Sequence, residues 1–280
     1  MRRVFSLVFL FSALACTQEI NIPLPDSKDQ VVIESWIENG SPAKVIVTRS
    51  AGFFEPIYAD SIQNYVVLNA QVTLSDGVNS ELLSLQIDES VFPPFLYVSS
   101  TMLGEVGKTY ELEVVADEDT LRATTQILDP IRPDSLWFEL EEGEDSLGYL
   151  KALVTDPDTP GNRYRFFSKR LGRDLIYYPI IGDLREDVLV NGLSFETFFY
   201  RGNAPSDSTG EESAYFRLGD TIVLKTTHID FDHYKFWESI DNNSGGNPFS
   251  SPGNVRSNVS GGFGIWGGYA AEYDTVIAIP

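Results

Sequence analysis

From residue 31 onward the chain is cut into short apolar, β-branched runs by turn signals at intervals of about ten residues, a pattern that leaves room for little besides β-structure. Residues 31–39 (VVIESWIEN) and 43–51 (AKVIVTRSA) flank Asn39-Gly40-Ser41-Pro42, which predicts a hairpin. Residues 70–75 alternate polar with apolar and end in Asp76-Gly77. Further runs at 81–87, 110–116 and 121–127 complete what reads as a β-sandwich over 31–128.

Asp129-Pro130-Ile131-Arg132-Pro133-Asp134 then interrupts the pattern. Its two prolines exclude helix continuation and central-strand pairing, so 129–134 reads as a linker. A second β-rich unit is expected over 135–280, with strands around 135–141, 149–155, 163–170 and 221–227. The segment RYRFFSKR at 163–170 carries aromatics on both faces, and 200–212 reads as a long polar loop. One helix is expected at about 231–242, where Tyr234, Trp237 and Ile240 recur every three residues and Asp230 or Asp232 can cap. Gly245-Gly246 stops it. The glycines of 260–269 alternate with aromatics in a manner suited to a tightly packed hairpin, ahead of a last strand at 275–279. No internal repeat of fixed period is visible, which disfavours solenoids and propellers.

The leader speaks to compartment. Met1 to Cys16 (MRRVFSLVFLFSALAC) has two arginines, an apolar run from Val4 to Phe11, and Ala13-Leu14-Ala15 before a cysteine. These are the regions of a secretory signal peptide over 1–15. The ending has the pattern of a bacterial lipobox, with Ala13 where leucine is commoner, so that Cys16 is expected to be diacylated and to become the new N-terminus. The apolar run is shorter than the roughly 20 residues that span a bilayer, which argues against an uncleaved anchor. Residues 16–30 then read as a lipidated tether, rich in polar residues and without periodicity. Cys16 is the one cysteine of the sequence, so lipidation leaves no thiol for a disulfide and stability must come from burial.

Charge narrows the partners. A formal net charge of −21 repels nucleic acid and anionic headgroups, and loss of Arg2 and Arg3 with the leader makes the chain more acidic still. The membrane is therefore expected to be reached through acyl chains and not through a basic patch. Hydrophobic content of 42% excludes global disorder.

Several segments resemble chemical motifs and fail on detail. Gly104 to Thr109 looks like a phosphate loop, but Met102 occupies the position of the first glycine and an alternating strand follows; a hairpin turn is expected. Asp156 to Asn162 looks like a calcium loop, but Pro160 replaces a ligand and Phe167 stands where the bidentate glutamate belongs, so a rigid acidic turn is expected. His228 and His233 lie among Asp230 and Asp232, and the simpler account makes the aspartates helix caps with the histidines beside the helix start. No nucleophile elbow and no metalloprotease helix motif is present. With 41 acidic residues, carboxylate pairs arise by chance. The sequence thus predicts no catalytic residue, no metal and no cofactor. Phe53, Phe54 and Tyr58 crowd one loop and form the candidate binding surface.

The chain resembles a family of Bacteroidota outer-membrane lipoproteins known as a domain of unknown function. The resemblance rests on the lipobox and Cys16, on Val32 to Ile37, Thr48-Arg49-Ser50, Ala70 to Gly77, Gly104 to Tyr110 and Tyr234 to Trp237. Its most distinctive part is Asn247-Pro248-Phe249-Ser250 running into Asn258-Val259 and Gly261 to Gly267. It implies an Ig-like N-terminal sandwich, a second β-rich domain with a helix, and an outer-membrane location, the outward face being expected over the periplasmic one. Relatives of this kind are similar in setting to lipoproteins that accompany TonB-dependent receptors. The expected function is thus a non-enzymatic accessory or binding subunit of a β-barrel in nutrient uptake or envelope assembly. The alternatives are a free-standing glycan- or peptide-binding lipoprotein and, last, a carboxylate-based hydrolase.

Overall fold

The structure, a computed structural model, describes residues 29–51, 62–202, 214–244 and 254–279. Strands β1 (Val31–Glu38) and β2 (Pro42–Arg49) form the expected hairpin, followed by β3 (Gln71–Ser75), β4 (Ser80–Leu82) and β5 (Ser84–Ile87). Next come β6 (Phe95–Leu103), β7 (Thr109–Ala116) and β8 (Asp119–Gln126). After the 129–134 crossing lie β9 (Ser135–Leu140), β10 (Leu147–Thr155), β11 (Arg163–Arg170), β12 (Tyr178–Glu186) and β13 (Ser194–Phe199). β14 (Phe216–Arg217), β15 (Thr221–His228), the helix α1 (Phe231–Ser244) and β16 (Phe263–Ile277) complete the chain. The protein is mostly β, as expected, with one α-helix near the C-terminus among the described residues. Among those residues no helix is long and apolar enough to cross a membrane.

An eight-stranded sheet in the order β12-β11-β15-β16-β1-β2-β6-β5 runs the length of the molecule, and two four-stranded sheets cover it on one face. The sheet β4-β3-β7-β8 closes the N-terminal sandwich over Ile33, Val45, Leu74, Tyr110, Leu112, Leu121 and Trp266. The sheet of β13, β10, β14 and β9 closes a second sandwich over Leu150, Phe166, Phe199, Phe216 and Leu224. Strand alternation explains both cores: Ile33 and Ile37 of β1, or Ile222 and Leu224 of β15, point inward while their neighbours point to the other face.

A tyrosine corner ties the first sandwich together. Tyr110 at the start of β7 is fully buried, and its hydroxyl donates to the Leu103 carbonyl (3.0 Å) and accepts from the Glu105 amide (2.8 Å). This is the turn of an Ig-type corner, where a buried phenol satisfies the backbone of a chain changing sheets. The expected hairpin at 104–109 is corrected accordingly: β6 and β7 lie in different sheets, and Gly107 (φ +82°) turns a corner between them.

The glycine-rich segment is corrected more deeply. Residues 263–277 form one continuous strand in the interior of the long sheet, parallel to β1 and antiparallel to β15, and not a hairpin with a short strand after it. Its first half supplies Trp266 and Ala270 to the N-terminal core, whereas Ala278, just past its end, lies in the second core. Close packing is why glycine is needed. Gly264 holds φ +127°, and a Cβ there would lie 1.8 Å from the Ile33 carbonyl oxygen.

Candidate functional site

The uncovered face of the long sheet is built from the positions that the cores do not use. Glu34, Trp36 and Glu38 of β1 share it with Lys44 of β2 and Arg165, Phe167 and Lys169 of β11. Lys225 of β15 and Ile265, Tyr269 and Tyr273 of β16 complete it. Helix α1 lies over one part of this face, its start fixed by Asp230, whose carboxylate accepts the His233 amide at 2.8 Å. Between helix, sheet and the segment around Tyr177 is a cleft of about 560 Å³. Its walls include Trp36, Phe167, Tyr177, Trp237 and Tyr269, with four cations, Lys44, Arg165, Lys169 and Lys225, and one carboxylate, Glu34.

Arg165 is the central cation. Its Nε donates to Asp183 (2.7 Å), its Nη1 donates to the Tyr269 hydroxyl (3.2 Å), and its guanidinium lies 3.7 Å from the centre of the Trp237 ring. Three contacts that lock a planar fork in one orientation make it a rigid wall. Lys225 pairs with Glu38, both side chains being about nine-tenths buried, and Tyr273 donates to the other oxygen of Glu38. The Lys225 ammonium lies 5.1 to 5.7 Å from the ring centres of Tyr269, Phe167 and Tyr273.

Electrostatics follow from this enclosure. Burial pushes the Tyr273 phenol up, and Glu38 beside it adds to the shift. Burial lowers His233 to about 3, reinforced by Arg165, so the imidazole is neutral; its ring packs edge-on to Tyr269 and its Nδ1 meets the Gly268 carbonyl at 3.3 Å. Glu34 faces solvent inside the concave cleft, and the surrounding protein raises its carboxyl while Arg165 pulls the other way.

The two histidines thus flank the helix start as the sequence indicates, each with a structural role. His228 stacks on Tyr164 and meets the Asp129 carbonyl at 2.9 Å. Among the described residues no group of His, Cys, Asp or Glu could hold a metal ion. The acidic turn at 156–162 is held by one carboxylate of its own and one from after β12: Asp156 accepts the Tyr164 hydroxyl, and Asp187 accepts the amides of Gly161 (2.8 Å) and Asn162 (2.9 Å). Cys16, Phe53, Phe54 and Tyr58 lie outside the described residues.

The sequence does not mark the cleft residues as a binding surface; His233 and Trp237 stand out in it only as parts of the helix and its start. The cleft's one local signal is the charged and aromatic alternation of Arg165, Phe167 and Lys169, which periodicity shows to be one face without saying what lies beside it.

Near the cleft, the chain preceding β16 is shaped by side chains that replace a missing strand. Ser257 bonds both the amide (3.1 Å) and the carbonyl (2.8 Å) of Gly264, and Asn258 does the same for Trp266, at 3.0 and 2.8 Å. Thr125 accepts the Gly268 amide at 2.7 Å. A family model matches residues 17–274, a span that includes this arrangement. The chain belongs to DUF4249, a domain of unknown function. No curated protein matches it in sequence. In this DUF4249 protein the distinctive C-terminal motif, as far as it is described, builds the sheet that carries the cleft and supplies only Ile265 to its lining.

Proposed function

We propose that this DUF4249 protein is a lipid-anchored binding subunit of the outer membrane, outward-facing, that holds a ligand in the Trp36–Arg165–Trp237 cleft and serves a β-barrel receptor without catalysing a reaction. The observation that carries the reading is the composition of the cleft. Aromatic rings and four cations line a ligand-sized hollow, and their polar groups are already fixed on one another. A glycosidase of the common kind needs two facing carboxylates, and the cleft offers one. Three of the four cations are already paired, Arg165 with Asp183, Lys225 with Glu38 and Lys44 with Asp88, so the aromatic walls rather than net charge carry the recognition of a glycan or peptide. The leader ending in Cys16 supports the anchor, and the family resemblance supports the β-barrel partner.

The test is mild-detergent affinity purification of the tagged protein from native membranes beside a Cys16→Ala control. A stoichiometric β-barrel partner that disappears in the control is expected. Recovery of the lipoprotein alone under several gentle conditions would remove the accessory role and leave a free-standing binder, for which the aromatic cleft speaks. Trp36→Ala and a Phe53/Phe54/Tyr58 triple alanine variant then compare the two aromatic surfaces in ligand binding.

A further inference from the structure

On the opposite side of the long sheet from the cleft, a second cavity of about 530 Å³ opens between the two sheets of the C-terminal sandwich. Ile131, Val154, Phe166 and Phe195 give it apolar walls. Its rim is apolar too: Val188 and Leu189, on the β12–β13 connection, are 74% and 89% exposed. Asp187 anchors that connection through the amides of Gly161 and Asn162, so two large aliphatic side chains are held in water at the mouth of an apolar hollow. A volume in the usual range of small-molecule sites, with an apolar entrance, suits a flexible hydrocarbon chain.

One end of the hollow is different. Arg185 lines it, half-buried, with its guanidinium 5.1 and 4.9 Å from the ring centres of Phe166 and Phe199. Its hydrogen bonds go to neutral oxygens, those of Thr197, Phe198 (2.8 Å) and Gly182 (3.4 Å). The carboxylates within reach are engaged elsewhere: Asp183 holds Arg165 at 2.7 Å, and Glu186 in the cavity wall holds Arg163 at 3.2 Å. Desolvation lowers the Arg185 pKa, and the charge of Asp183, which makes no hydrogen bond to it, pulls the other way without reversing the shift. Thr226 lies in the same wall, 4% exposed, and its hydroxyl has no hydrogen-bond partner. A half-buried cation and an orphaned hydroxyl are both costly until something polar and anionic arrives.

We propose that this cavity binds an acyl chain ending in an anion, its hydrocarbon lying between the sheets and its headgroup, a carboxylate in the first instance, meeting Arg185 and Thr226. A guanidinium with N–H donors to spare matches a carboxylate in two-point geometry. The site is separate from the Trp36–Arg165–Trp237 cleft and does not depend on the reading of it.

The test uses the full chain carrying Cys16→Ala in detergent-free buffer, with the fluorescent long-chain carboxylate cis-parinarate as probe and palmitate and hexadecanol as competitors. Saturable one-to-one binding is expected, with palmitate displacing the probe better than hexadecanol. Arg185→Met is expected to weaken palmitate by about tenfold while leaving hexadecanol unchanged. Val188→Glu, an exposed substitution that leaves the fold alone, places a negative charge at the mouth and is expected to weaken palmitate as well. Lysophosphatidylglycerol in place of palmitate separates a phospholipid source from a free acid, and Arg185-dependent displacement by either supports the site. Absence of saturable binding, or palmitate affinity indifferent to both substitutions in protein that melts normally, overturns the proposal. Trp36→Ala in the cleft is expected to leave palmitate binding unchanged; a loss there would overturn the separateness of the two sites.

Discussion

The indole of Trp266 donates to the carbonyl of Tyr110 at 3.0 Å, across 156 residues of sequence, inside the N-terminal core. Both side chains are fully buried, and Trp266 belongs to the last strand of the chain. The first sandwich is therefore completed by β16, which in sequence comes after the strands of the second. Trp266→Ala is expected to cost about 3–5 kcal/mol, from lost burial and a cavity beside Tyr110. A fragment ending at Leu128 is expected to lack a cooperative transition, because it leaves β1 without its parallel neighbour. Denaturant melts of the variant and the fragment check both; a fragment that unfolds cooperatively would show that β16 is dispensable to the first sandwich.

Asn258 acts as a strand substitute. Its side chain both donates to and accepts from the backbone of Trp266, so Asn258→Ala leaves an amide and a carbonyl of β16 in want of partners. A loss of about 1–3 kcal/mol is expected, with amide hydrogen exchange rising first at Trp266. Unchanged exchange there would mean that water replaces the side chain without cost.

His233 links stability to pH. Its folded pKa of about 3 is depressed below the ordinary 6.5, by burial first and by Arg165 second. Above 6.5 the ring is neutral in both states and its contribution is intact. As pH falls from 6.5 towards 3 the unfolded chain takes up a proton that the folded one refuses, so stability drops by up to about 1.4 kcal/mol per pH unit from this group. Comparing urea midpoints at pH 7 and pH 4.5, His233→Gln is expected to lose less than the wild type. An equal loss in both proteins would assign the acid sensitivity to other groups.

Lys225 and Glu38 form an ion pair whose side chains are only 12% and 10% exposed. Lys225→Met strands a buried carboxylate beside the Tyr273 hydroxyl and is expected to cost about 3–5 kcal/mol. Adding Glu38→Gln is expected to restore part of that loss, since the uncompensated charge goes with it. A double-mutant cycle by chemical denaturation measures the coupling, and purely additive losses would contradict it.

Much of the secondary structure could be read locally. The alternation in Tyr110–Ala116 and the Asp230 cap before Tyr234 and Trp237 depend on neighbours a few residues away, and both form as read. Phe95–Leu103 escaped, because its apolar run after Phe92-Pro93-Pro94 has no clean period. The segment at 263–277 was misread because glycines weaken strand propensity. They are tolerated there by contacts with Ile33 and His233, which local pattern does not contain.

The class of the fold, the place of the helix and the acidic character of the chain are legible in the residues alone, because they follow from short-range periodicity, capping and composition. That β16 joins β1 to β15 in one sheet, and so makes the cleft, emerges from long-range packing. Parallel pairing between residues some 230 apart leaves no local trace. Glu34, Trp36, Arg165, Lys225 and Tyr269 converge because strands far apart in sequence were stacked side by side, and the cavity at Arg185 exists for the same reason.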